Sequence, residues 1–106
     1  MADKTKVKTY GADATVKQLS DSCQTDEDAY QARLTGLERV DAEDGTKGTQ
    51  VTYTRVPFSE VYVTKALSFV DLANATPQPP GTDVVFESAD VYLNGSEAQV
   101  AVYREQ

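Results

Sequence analysis

The sequence predicts a small, mainly β protein: an antiparallel sandwich or partial barrel of about five or six strands with one or two short helices. Three observations carry this expectation. Residues 84–104 read as a hairpin around Asn94-Gly95. Residues 49–58 form a run rich in threonine, valine and tyrosine, the residues that suit a pleated surface. The loop Asp41 to Gly48 holds two glycines and leads straight into that run, as a second hairpin connection would. An α+β two-layer arrangement is the alternative, and residues 26–40 and 59–75 decide between the two.

Lys4 to Tyr10 alternates, with Lys4, Lys6 and Lys8 on one face and Thr5, Val7 and Thr9 on the other. Lysines on an exposed strand discourage unwanted pairing, so residues 1–10 are expected as an edge strand or an ordered arm. Asp13 to Cys23 fits a short helix, with Ala12, Val16, Leu19 and Cys23 on one face. Thr15 followed by Gln18 has the spacing of a capping box. The helix is expected to stop before Thr25, where an acidic run begins.

Asp26 to Val40 supports two readings. Acids at 26–28 followed by Tyr30, Leu34 and Leu37 suit a helix start. Tyr30, Ala32 and Leu34 also alternate, and Gly36 would then mark a bulge. The glycine-containing loop that follows favours the strand.

Thr49 to Phe58 is expected as a strand that Pro57 ends or confines to an edge. In residues 59–75, Val61 to Val63 is β-like. Thr64, Lys65, Ser68, Asp71 and Ala75 then trace a polar face at helical spacing. A strand start passing into helix or irregular turns is the expectation, with Leu67, Phe69, Val70 and Leu72 pointing inward. Pro77, Pro79, Pro80 and Gly81 make a stiff extended connector within one domain.

The last segment is the clearest. Asn-Gly accepts the positive φ angles of a type I′ turn, whose twist matches paired strands. A kink near Asp90 is expected to reset the register before it. Val100, Val102 and Arg104 share one face of the final strand, and Ala101 and Tyr103 the other.

The chain has 106 residues, which suits a single domain spanning 1–106 with one core. Net charge is −7 and unevenly placed: +2 over residues 1–17, −5 over 18–50 and −4 over 51–106. Such a surface repels phosphate backbones, so no direct nucleic-acid partner is expected. No apolar run approaches the ~18 residues that cross a bilayer, and the first eight residues do not resemble a secretory signal. The expected location is the cytoplasm or a virion.

The chemistry-bearing residues are few. There is no histidine, which removes serine–histidine triads and the common zinc sites, and no glycine-rich phosphate loop. Cys23 stands alone and reads as a small buried apolar residue; pairing between chains is the alternative. Asp41 to Gly45 resembles part of a calcium loop, but the register fails, since the sixth position from Asp41 is Thr46. Asp21, Asp26, Glu27 and Asp28 form a second acidic cluster with no spacing specific to catalysis. Asn74 and Asn94 each open an Asn-x-Ser/Thr triplet, and turn formation already accounts for Asn94. Six tyrosines against three phenylalanines suit cross-strand packing and interfaces.

No cofactor, metal or catalytic residue is expected. The expected role is a non-enzymatic assembly subunit, with a capsid-decorating or tail/neck protein of a virion as its finer form. That finer form is a fold-level analogy. Partners are then proteins, through self-association or a larger assembly. Lys4, Lys6 and Lys8 of one copy would meet an acidic belt on the next, drawn from Asp26, Glu27, Asp28, Asp41, Glu43 and Asp44. Two alternatives belong to other classes. One is an acidic module that blocks a basic partner through a continuous negative stripe over 21–28 and 41–44. The other is a small carboxylate-dependent enzyme with a deep polar pocket.

Overall fold

A computed structural model describes residues 5–55, 65–74 and 77–106. Six strands and one α-helix are present among them: β1 (Thr5–Gly11), α1 (Val16–Tyr30), β2 (Ala32–Asp41), β3 (Lys47–Arg55), β4 (Leu67–Asp71), β5 (Thr82–Leu93) and β6 (Ser96–Glu105), with a 3-10 turn at Leu72–Asn74. The strands form two three-stranded antiparallel sheets, in the orders β1-β3-β2 and β4-β6-β5. The fold is a small β-sandwich with one helix.

The core follows from strand alternation. Val51 and Tyr53 of β3 and Val100 and Val102 of β6 are fully buried and face the interior from the central strand of each sheet. Leu34, Phe69, Val91 and Leu93 join them, and α1 adds Leu19 and Cys23. The outward row of β3, Gln50, Thr52 and Thr54, stays half-buried.

A bulge sets the course of β2. Its pairing with β3 shifts between Leu34 and Gly36. Before the shift, even-numbered Ala32 and Leu34 face the core; after it, Leu37 and Arg39 stand opposite Val51 and Thr49. The extra residue flips the phase of the strand, which is why no single alternation runs from 32 to 41.

The Asn94-Gly95 turn has positive φ at both residues, 54° and 81°, as the expected turn requires. It is also anchored: the Asn94 and Gly95 amides donate to the Ala14 and Ala12 carbonyls at 3.0 and 2.9 Å. The turn thereby holds the segment that leads into α1.

Several expectations need correction. Thr15 and Gln18 do form the capping box, but α1 continues through the acidic run to Tyr30, where Gln31 ends it in the left-handed conformation. Residues 26–40 are therefore neither all strand nor all helix. The acids at 26 and 27 do not stop the helix because they fall on its inward face, one turn on from Cys23. Residues 67–71 are strand followed by a single 3-10 turn, not a longer helix, and Leu72 is exposed. The register of β5 shifts between Val84 and Ala89, upstream of Asp90. Val61 to Val63 and Pro57 lie outside the described residues.

Candidate functional site

The densest polar chemistry lies between α1 and the first sheet. Lys8 and Tyr10 of β1 and Tyr53 of β3 point towards the helix, where Asp26 receives all three. The Tyr10 hydroxyl donates to Asp26 Oδ2, and the Tyr53 hydroxyl lies 3.4 Å from the same oxygen. The two hydroxyls are 2.6 Å apart, and Lys8 Nζ is 3.1 Å from Oδ2. Asp26 is only 7% exposed, so its charge depends on these partners rather than on water.

The two phenols, and the Cys23 thiol beside them, are held in their protonated forms. Burial, with the adjacent Asp26 carboxylate, pushes the Tyr10 hydroxyl well above its ordinary range. Burial, with the neighbouring Cys23 and Tyr10, does the same to Tyr53. Burial raises the Cys23 thiol from 9.0 to about 11, so it is neutral and a poor nucleophile at physiological pH. A depression of about 230 Å³ lined by Lys8, Asp21, Ser22, Thr25 and Asp26 opens beside the cluster. It reaches the Lys8–Asp26 pair but is not lined by the thiol or either hydroxyl-bearing ring.

Glu27 faces the other sheet and is 0% exposed. Arg104 of β6 grips it with both ends of the guanidinium, Nη1 to Oε1 at 2.9 Å and Nη2 to Oε2 at 2.6 Å. The Leu34 amide donates to Oε2 at 2.6 Å. One buried carboxylate thus ties α1, β2 and β6 together.

The remaining charged residues are scattered. Asp28 is exposed. Asp41 accepts from the Tyr92 hydroxyl at 2.6 Å, which holds that phenol above its ordinary range. Glu43 and Asp44 sit on the exposed β2–β3 loop. There Asp44 accepts from the Thr46 amide at 2.9 Å, and that bond holds its carboxyl below the usual range. Lys4 lies outside the described residues. Asp26 and Glu27 are thus removed from any acidic belt by burial. Of the acids expected to make a continuous stripe over 21–28 and 41–44, Asp26 and Glu27 therefore present almost no exposed charge. Lys8 is likewise paired within its own chain, and Lys6 Nζ lies 6.0 Å from the Tyr30 ring centre. Among the described residues, no three His, Cys, Asp or Glu side chains converge to hold a metal ion.

The sheet edges differ sharply. At β4, the Leu67 amide donates to Gln24 Oε1 at 2.8 Å and its carbonyl accepts from Ser20 Oγ at 3.2 Å, so side chains of α1 cap that edge. β2 and the second half of β5 hold each other: Arg39 lies 3.8 Å from Asp90, and the Tyr92 hydroxyl donates to Asp41 at 2.6 Å. Two edges have no strand beyond them among the described residues, namely β1 and the first half of β5, where Gln78 Nε2 donates to the Thr82 carbonyl at 2.7 Å and leaves the edge uncapped from Asp83 onward. β1 is exposed along almost its whole length, and Val7 is 57% exposed. On β5, Val84 is 50% exposed.

No family model, curated protein or solved structure matches this chain.

Sequence reasoning missed Arg104, Tyr10 and Tyr53 as partners of the acids. The ends of these contacts lie 16 to 77 residues apart in the chain, and no local spacing marks them. It also missed the acidic half of the open β5 edge, Asp83 and Glu87. Their signal was the lack of any basic residue between Thr82 and Leu93.

Proposed function

We propose that this protein is a non-enzymatic assembly subunit that works through the open edges of its sheets. The observation that carries the reading is the contrast between edges. Helix side chains cap β4, and β2 and the end of β5 close on each other, while among the described residues no strand pairs with the outer edge of β1. Open strand edges of this kind are templates for another strand. The state of the polar cluster agrees with a non-catalytic role, since its hydroxyls and thiol are held protonated and its carboxylate is fully engaged. A capsid-decorating or tail/neck subunit remains the finer form of the proposal and rests on analogy with size, acidity and β architecture.

Native mass spectrometry across a wide concentration range tests the reading. Species larger than one chain that grow with concentration are expected. A strictly monomeric protein at every concentration, with no assembled particle that incorporates it, overturns it.

A further inference from the structure

The two open edges carry opposite charge. β1 holds Lys6 and Lys8 and no acid, whereas the first half of β5 holds Asp83 and Glu87 and no base. Both lie on a chain whose net charge is −7, so β1 is a basic island on an acidic body. Like edges would oppose lysine to lysine, or acid to acid; unlike edges would not. The two edges also present the most exposed large apolar side chains among the described residues, Val7 and Val84.

We propose that the occupant of each edge is a second copy of this chain, with β1 of one copy pairing antiparallel with the first half of β5 of the next. Deepening the assembly reading and resting on it, this inference names the partner and the contact. In the register that sets Val7 opposite Val84 of the next copy, Lys8 stands opposite Asp83, so that Lys8 is shared with Asp26 of its own chain and Asp83 with the Gln106 side chain of its own. The valines then share the outward face of the joined sheet, since Val84 pairs with Tyr103 while Asp83 pairs with Arg104, whose side chain turns inward to Glu27. The contact is heterologous, because the two surfaces differ. It therefore builds rings or filaments rather than closed pairs. It also merges the two kinds of sheet into one that runs from copy to copy.

The test uses the full chain and three variants: Lys6→Glu with Lys8→Glu, Asp83→Lys with Glu87→Lys, and Val7→Cys with Val84→Cys. Circular dichroism first checks that each variant is folded. Lys6→Glu alone, held as a fourth variant, replaces the first if the double change unfolds the chain, since it leaves the Lys8–Asp26 contact intact. Wild type is expected to associate more weakly as salt rises. Each charge variant alone is expected to associate about tenfold more weakly or worse, and an equimolar mixture of the two to recover association. The cysteine variant is expected to give a ladder of disulfide-linked chains under mild oxidation, with Cys23 buried and silent. Wild-type association that survives both charge variants, without a ladder, overturns this contact while leaving the assembly reading in place. Absence of wild-type association overturns both.

Discussion

Replacing Arg104 by methionine isolates the buried ion pair that ties α1 to the second sheet. The change keeps an apolar stem but removes both guanidinium bonds to Glu27, at 2.9 and 2.6 Å. Glu27 is fully buried and keeps the Leu34 amide as a donor. Two charge-assisted bonds at about 1.5–3 kcal/mol each give about 3–6 kcal/mol. The general cost of stranding a buried charge is about 3–5 kcal/mol, so about 4 kcal/mol is the expected loss. A domain of this length has a total stability of about 5–15 kcal/mol, and R104M is therefore near the limit of folding. Urea denaturation followed by far-UV circular dichroism reads it as a midpoint lower by about 2 M. Glu27→Gln keeps an oxygen for the Leu34 amide and removes the charge. The double variant E27Q/R104M should then lose at least about 1 kcal/mol less than the two single losses combined. A loss below about 1 kcal/mol for R104M, or strict additivity in the cycle, would refute the reasoning.

Three further outcomes are expected. Cys23 has its folded-state pKa raised, so its contribution is complete below pH 9 and is lost as pH climbs to about 11, roughly 3 kcal/mol in all. Denaturation midpoints measured against pH should fall from pH 9 in the wild type, whereas Cys23→Ala should begin to fall only where the tyrosines titrate. Gly48→Ala would place a Cβ 2.7 Å from the Tyr10 carbonyl oxygen and 2.9 Å from Thr9 Cγ2. The backbone there cannot swing aside, so β1 separates from β3 at a cost of about 1–3 kcal/mol, seen as faster amide exchange in residues 5–11. Thr15→Ala removes the hydroxyl that accepts from the Gln18 amide at 3.1 Å; thermal melts should show a loss of about 1 kcal/mol.

Local chemistry made some elements legible and left others hidden. The Asn94-Gly95 hairpin, the capping box at Thr15, the bulge at Gly36 and the edge position of β1 each depend on neighbours in sequence, and each stands as expected. The end of α1 does not. Asp26 and Glu27 look like a solvated turn until Lys8, Tyr10, Tyr53 and Arg104 arrive from distant strands to satisfy them. The same pairing turned two residues chosen for an acidic surface into core residues. Leu67 to Asp71 was obscured because its polar residues also fit a helical period, and only pairing with β6 resolves the choice. The open half of β5 was hidden too, since it carries none of the lysines that mark β1 as an edge.

Hydrogen exchange of the β1 amides, measured on dilute and concentrated protein, tests most directly whether this molecule acts through its strand edges. Protection across residues 5–11 and 82–88 should rise with concentration while the β6 amides stay slow throughout. Identical exchange in β1 at both concentrations, in samples where the chain is associated, would contradict the account.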